Sequence, residues 1–187
     1  MNAYFKRQLA DYVEYHRDPR NCAMHVIGIV SLFLAAILPL ALWPIDALGG
    51  GVTVATIMVL PVLIYWLALD AGIGLAIVGI AVALLATAGA VVSHASATGV
   101  WAISAGLIAV GIGSQIVGHR VFERRQPALV DNPGHLLLGP MFVMAKLFIA
   151  LGFRRDLSII IGPVRERALG VGSAFPDDPQ GNSLPHS

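Results

Sequence analysis

The middle of this 187-residue chain has almost no charge. Residues 21–119 contain no lysine or arginine and only two acids, Asp46 and Asp70, although the whole chain has 12 basic and 11 acidic residues. Charged residues make up 12% of the sequence and hydrophobic residues 57%, whereas a typical soluble domain is about 25% charged. This composition excludes an ordinary soluble fold and predicts a polytopic membrane protein.

Other absences narrow the function. A single cysteine, Cys22, excludes an internal disulfide bond. The basic residues flank apolar segments and are not interleaved with exposed aromatic residues, so nucleic acid is not an expected partner. No zinc-protease HExxH, paired CxxC, phosphate-binding loop or nucleophile elbow is present. The first 20 residues are polar, which argues against a cleaved signal peptide.

The apolar segments predict an all-α fold, a polytopic bundle of four transmembrane helices. A span needs about 20 apolar residues, and segments 22–43, 52–69, 72–92 and 100–119 fit this length. Asn21 is the expected N-cap of the first span. Every lysine and arginine lies at or before Arg20 or at or after Arg120, so the positive-inside rule places both termini in the cytoplasm.

The flanking segments are predicted to lie at the membrane surface. Residues 2–17 indicate an amphipathic helix, since Phe5, Leu9, Tyr12 and His16 share one helical face. Residues 140–151 are apolar but contain Lys146 and are too short to cross, which favours an interfacial helix. The expected division is 1–20 (amphipathic helix), 21–126 (four-helix domain), 127–169 (interfacial segment) and 170–187 (disordered tail).

Three of the six histidines are predicted to meet at one membrane depth. His16 ends the amphipathic helix, His25 lies one turn inside the first span, and His119 ends the fourth span on the same side. Gln115, His119 and Glu123 follow the i, i+4, i+8 spacing of one helical face. His94 lies at the opposite surface and His186 in the tail.

A polar stripe that enters a membrane is a candidate functional site. Imidazole suits iron, zinc, copper and nickel, and the Glu123 carboxylate could be a ligand, orient a histidine or act as a base. A single histidine is more commonly an interfacial residue, and Glu123 with Arg120 or Arg124 could be a surface ion pair. Two other interpretations stay open: a haem or electron-transfer protein ligated by His25 and His119, and a non-catalytic membrane scaffold.

Two motifs resemble those of a known family. The segment YHRDPRN at residues 15–21, followed by His25 and Gly28, is similar to the opening motif of the membrane 2-hydroxy fatty acid dioxygenases. The segment QIVGH at residues 115–119, which continues through FERR at 122–125 and PAL at 127–129, resembles a second motif of the same family. Segments 65–70 and 139–142 resemble the weaker signatures of the family, and the resemblance covers about residues 4–153.

The resemblance implies an Fe(II) enzyme of fatty-acid α-oxidation that uses O2 to shorten a long-chain 2-hydroxy fatty acid by one carbon. It implies iron held by His16, His25 and His119, with His135 as a weaker fourth candidate. Glu123 is the catalytic candidate, as a ligand or as a partner of one. The lipid bilayer of a bacterial inner membrane or of the endoplasmic reticulum is the expected location.

The substrate is then expected to place its apolar tail among the spans and its polar head at the cytoplasmic surface. Four basic residues near the histidines are candidates to neutralise its carboxylate: Arg17, Arg20, Arg120 and Arg124. Each is more simply a positive-inside anchor.

Overall fold

The computed structural model describes residues 3–14, 16, 18–49, 51–124 and 137–161. Within these ranges the regular elements are helices, with one isolated bridge between Pro44 and Thr53. The main helices are α1 (Ala3–Glu14), α2 (Pro19–Leu40), α3 (Val54–Leu69), α4 (Ala71–His94), α5 (Ala97–Val117), α6 (Leu138–Ala150) and α7 (Ser158–Ile161). A π-helical segment, Gly118–Glu123, continues α5. The all-helical prediction is confirmed.

Helix α1 buries the face that its periodicity predicts. Phe5 and Leu9 are fully buried, and Tyr12 and His16 are 4% and 1% exposed. Phe5, Leu9 and Tyr12 pack inward because positions i, i+4 and i+7 lie on one side of a helix. His16 follows the last turn, and its amide donates to the Val13 carbonyl.

The N-cap of helix α2 lies three residues earlier than expected. Asp18 is the N-cap, its carboxylate accepts from the Arg20 amide, and Pro19 occupies the first turn. Proline suits this position because it has no N–H that would need a partner. The prediction that Asn21 caps the helix is therefore wrong, and this releases the buried Asn21 side chain for other contacts.

Helices α2 and α5 pack antiparallel at close range. A Cβ at Gly28 would lie 2.9 Å from Gln115 Nε2 and 3.1 Å from the Gly111 carbonyl oxygen. The Ser104 hydroxyl donates to the Ala35 carbonyl further along the same interface. Small residues permit this approach, as is usual between membrane helices.

Helices α3 and α4 form a tight hairpin around Asp70. Its carboxylate accepts from the Ile73 amide at 3.0 Å and thereby caps α4. The same carboxylate receives Arg154 at 3.0 and 3.1 Å. Asp70 is thus a turn residue, as its position suggests, and also the anchor of the segment after α6.

The bundle has two ends, each with its own apolar cluster. At the proximal end α2 and α4 begin and α3 and α5 end; its cluster joins α1, α3, α4 and α6 through residues such as Phe5, Trp66, Ile73 and Phe142. At the distal end α2 and α4 end and α3 and α5 begin. Its cluster contains Ile37, Leu38, Ala41, Ala55, Ala88 and Val100.

Three of the described helices are long and apolar enough to cross a membrane: Pro19–Leu40, Ala71–His94 and Ala97–Glu123. Helix α3, expected as a fourth span, is apolar but has only 16 residues. Large apolar side chains face outward around the bundle, for example Ile64 at 65%, Leu75 at 67% and Val82 at 60% exposure. Such an exposed apolar belt is typical of a surface covered by lipid.

Helix α6 occupies the region predicted to form the interfacial helix. It contacts α1, α2 and α4, and its buried face includes Leu138, Met141, Phe142 and Ala145. The predicted tail, residues 170–187, lies outside the described residues.

Candidate metal centre

The site lies at the proximal end, where three separate elements each contribute one histidine. His16 follows α1, His25 lies in the second turn of α2, and His119 lies in the π-helical segment. All three are buried, and one ligand nitrogen from each lies within 4.8 Å of the others. The ring centroids are 4.3 Å apart for His16 and His25, and 4.8 Å apart for His25 and His119.

The surroundings of His16 fix which of its nitrogens carries the proton. Nδ1 lies 2.8 Å from the Tyr12 carbonyl oxygen, which can only accept, so Nδ1–H is the donor. The Tyr12 ring stacks on the imidazole with centroids 4.0 Å apart. Burial, followed by the charge of His25, lowers the pKa of His16 to about 2. A neutral His16 therefore presents the lone pair of Nε2 to the centre of the site.

His25 is oriented in the same way through a longer chain of contacts. Its Nδ1 lies 3.2 Å from the Asn21 carbonyl oxygen and 3.1 Å from Asn21 Oδ1, both acceptors. Asn21 Nδ2 donates to Glu123 Oε1 at 3.2 Å, and the Asp18 amide donates to the same oxygen at 2.7 Å. Glu123 thus holds the Asn21 side chain so that Asn21 Oδ1 faces His25. Because His25 Nδ1 then carries the proton, His25 Nε2 is left as an acceptor.

The two acceptor nitrogens face one another. His16 Nε2 and His25 Nε2 are 2.9 Å apart, and with both protons on Nδ1 no hydrogen lies between them. Two lone pairs at this distance repel unless a cation lies beside both. Histidine ligands of metals show the same pattern, since the second ring nitrogen usually donates to a carbonyl or carboxylate.

The third histidine supplies a further unused nitrogen. His119 Nδ1 is buried and, among the residues that the structure describes, has no hydrogen-bond partner. Such groups are rare in native proteins and require an explanation. The π-helical segment that carries His119 is of a type often found at functional sites.

Close backbone approach holds this segment against α2. A Cβ at Gly118 would collide with Asn21 Oδ1 and lie 3.2 Å from the Met24 Cβ. Only glycine lets the segment approach α2 closely enough for Glu123 to reach Asn21. Gln115, His119 and Glu123 therefore lie beside Gly28, His25 and Asn21 at successive levels of the helix pair.

The remaining candidates from the sequence lie elsewhere. His94 is exposed at the distal end, where its Nδ1 bonds the Ala90 carbonyl. Arg20 lies over the Phe122 ring at 5.8 Å, and Arg120 and Arg124 are exposed. His135 and Arg17 lie outside the described residues.

The sequence analysis did not identify two residues that contact the histidine centre or its neighbours, Asn21 and Lys146. Asn21 reads as a cap, although it orients His25. Lys146 reads only as an obstacle to a fifth span, yet its Nζ lies 2.9 Å from Cys22 Sγ, beside the histidines. Lys146 and Cys22 are 124 positions apart, too far for helical periodicity to detect, whereas Asn21 and His25 have the i, i+4 spacing of one helical face.

The donor set fits one metal ion. Three imidazoles suit iron, zinc, copper or nickel, and a catalytic site with three protein ligands keeps a position for substrate or water. Convergence of three nitrogens on one point favours a single ion over haem, whose axial imidazoles stand on opposite faces of a macrocycle. The fold and site thus define a helical protein with apolar, membrane-length helices and a buried three-histidine centre.

Comparison with known proteins places this protein in a family. Residues 2–151 match the family described as 2-hydroxy-palmitic acid dioxygenase Mpo1-like, so the chain belongs to the Mpo1-like family. The 2-hydroxy-palmitic acid dioxygenase MPO1 of Saccharomyces cerevisiae is 52% identical over 40 residues. That alignment covers 21% of this chain and 23% of the yeast protein. No solved structure matches the chain.

Proposed function

We propose that this protein is a non-haem Fe(II) dioxygenase that shortens long-chain 2-hydroxy fatty acids by one carbon with O2. His16, His25 and His119 hold the metal, and His135 is a further candidate ligand. The observation that carries the proposal is the pair of lone pairs on His16 Nε2 and His25 Nε2, 2.9 Å apart in a buried site. Membership of the Mpo1-like family supports the reaction class and the substrate class.

The side chains around the site position the ligands. Bound Fe(II) supplies the redox chemistry with O2 that amino acid side chains lack. The Tyr12 carbonyl fixes His16, and Asn21 fixes His25. Glu123 acts as a positioning residue, because its carboxylate holds Asn21 and the Asp18 amide.

The overall reaction needs no separate reductant. Conversion of a 2-hydroxy acid to the acid one carbon shorter, with loss of CO2, removes four electrons. One O2 accepts four electrons on reduction to the level of water, so one O2 is consumed per acid.

The tail of the substrate fits an apolar groove that begins beside the site. Its 240 Å³ cavity lies between α2, α3, α4 and α6. On α2 it runs from Val26, next to His25, to Leu40, which is about 21 Å at 1.5 Å per residue. That is longer than half of a ~30 Å hydrocarbon core. The exposed side chains of Val30, Met58 and Ile80 border it, so a lipid chain can enter from the side.

We also infer four membrane crossings, with both termini and the histidines on the cytoplasmic side. Ala55 of α3 belongs to the distal cluster and Leu69 to the proximal one, so α3 connects the same two ends as the longer helices. The lysines and arginines flank the proximal end, which the positive-inside rule places in the cytoplasm. The membrane is a bacterial inner membrane or the endoplasmic reticulum.

The test is oxygen consumption by purified, Fe(II)-loaded protein given 2-hydroxyhexadecanoic acid, with mass analysis of the product. We expect one O2 per acid and a product one carbon shorter. His119→Ala should abolish both, because it removes one of three converging nitrogens. His94→Ala is the matched control and should keep full activity.

Each other outcome has a definite meaning. Stoichiometric iron without O2 uptake would contradict the proposed substrate and leave the metal centre. Absence of both iron and uptake, with normal function of a triple histidine variant, would favour a scaffold. A Soret absorption band would favour haem.

A further inference from the structure

Lys146 is a cation placed in apolar surroundings. It is the single charged residue of α6, whose sequence is LGPMFVMAKLFIA, and its side chain is half-buried. Its Nζ lies 4.8 Å from the centroid of the Phe142 ring and 2.9 Å from Cys22 Sγ. In the described ranges no carboxylate forms an ion pair with it. A partly buried ammonium group with a thiol and a ring as partners favours an added anion.

Both partners of Lys146 also contact His16. The Cys22 thiol points at the His16 carbonyl at 3.7 Å, and the Phe142 ring lies 5.6 Å from the His16 ring. Lys146 therefore flanks the histidine centre from the side of α6.

Other described cations near the proximal end are less well placed. Arg20 stacks on Phe122, and Arg154 is paired with Asp70 and Asp156. Arg120 and Arg124 are exposed, and their positive charge faces outward. Among these described basic side chains, Lys146 is the one that contacts neighbours of His16, namely Cys22 and Phe142.

The apolar groove is lined by the residues of α6 that precede Lys146. Val143 and Met144 of α6 line the groove, and Val143 lies three positions before Lys146, on the adjacent turn. On α2, Val26 lines the groove and His25 belongs to the centre. One amphipathic molecule can thus place a chain in the groove and its head between Lys146 and the histidines.

We propose that Lys146 binds the carboxylate of a long-chain fatty acid and thereby holds the second carbon beside the histidine centre. This assignment rests on the proposed function and adds the residue that selects an acid over a neutral lipid. A charge-assisted hydrogen bond in a partly dry site gives both affinity and discrimination.

The test compares Lys146→Met with Lys146→Arg in equilibrium binding to metal-free protein in lipid nanodiscs. The probes are hexadecanoic acid and hexadecanamide, which share a chain and differ in head charge. Lys146→Met should weaken binding of the acid about 10- to 100-fold and leave the amide unchanged. Lys146→Arg should retain most of the acid affinity. Lys6→Met, the same change on the exposed face of α1, should alter neither.

A structural role would give a different pattern. Equal losses for acid and amide, or the same loss in Cys22→Ala, would overturn the assignment. With Fe(II) and a 2-hydroxy acid, Lys146→Met should raise KM more than it lowers kcat, at normal metal content.

The two proposals can fail separately. Lys146-dependent binding of the acid without O2 uptake would keep this assignment and reject the dioxygenase. Turnover with unchanged acid binding in Lys146→Met would reject the assignment and keep the enzyme.

Discussion

The two ends of the bundle use polar residues in opposite ways. At the distal end, Ser93 and His94 bond carbonyls of their own helix, three or four residues away. At the proximal end, Asn21 and Glu123 are 102 positions apart, and Cys22 and Lys146 are 124 apart. Local contacts of the distal kind satisfy a helix terminus, whereas the proximal contacts fix side chains from several elements around one point.

The comparison shows that the polar network at the proximal end lowers the stability of the fold. Burying polar groups is unfavourable unless they are paired, and replacing them with apolar residues is often neutral or stabilising. His119 Nδ1, without a partner in the described part of the chain, and the facing nitrogens of His16 and His25 add to this cost. Such local violations are expected at functional sites. The distal cluster, built from apolar residues, shows none of them.

The largest expected difference between the ends is in metal binding. Wild-type protein should bind one Fe(II) and gain about 2.7 kcal/mol of stability at a free metal concentration 100 times Kd. His16→Ala, His25→Ala and His119→Ala should each lose this gain, whereas His94→Ala should keep it. Thermal unfolding with and without metal, together with metal analysis, measures the effect. A histidine variant with an undiminished thermal shift would remove that residue from the ligand set.

A second difference concerns two glycines, Gly113 of α5 and Gly118 of the π-helical segment that continues it. Gly118→Ala should displace Asn21 from His25, because its Cβ would collide with Asn21 Oδ1. We expect metal affinity to fall about 10- to 100-fold, as for other residues that orient ligands. Gly113 has open space around it, so Gly113→Ala should leave affinity unchanged and can gain helix stability. Equal affinities in the two variants would contradict the proposed role of the close approach.

The groove that joins the two ends gives a third comparison. Ala81, 7% exposed, lines it between Ile77 of the proximal cluster and Leu84, which packs against the distal one. Ala81→Phe should block the distal half, so we expect kcat/KM for 2-hydroxyhexadecanoic acid to fall about 10-fold, since each lost methylene contact weakens binding. The eight-carbon acid should be unaffected. Ala83→Phe on the exposed face of α4 is the control. The measurement is kcat/KM as a function of acid chain length for both variants.

The smallest expected effect is on the ion pair at the α3–α4 turn. Burial raises the pKa of Asp70, but the hydrogen bonds from Arg154 and the Ile73 amide outweigh it and lower the pKa below 3.8. The stabilisation is therefore present above pH 3.8 and is lost as pH falls below it. Asp70→Asn should cost about 1 kcal/mol at neutral pH and flatten this dependence. Asp46→Asn, at an exposed distal position, should do neither in thermal unfolding across pH.

Several features of the site were accessible from the sequence because they depend on short-range periodicity or on charge distribution. The inward face of α1 follows from the spacing of Phe5, Leu9 and Tyr12. The meeting of His16, His25 and His119 follows from counting crossings, since antiparallel spans return distant residues to the same depth. The family resemblance is also confirmed.

Other features required tertiary structure. The sequence determined a helical, membrane-type chain with three of its histidines and its flanking basic residues at one end, because hydropathy and helical spacing act within a few turns. Only the packing decided that Glu123 reaches Asn21, that Arg154 pairs with Asp70 and that Lys146 contacts Cys22. The direction of a lone pair or of a lysine depends on which helix faces which, and that is set by close contacts between residues 84 to 124 positions apart.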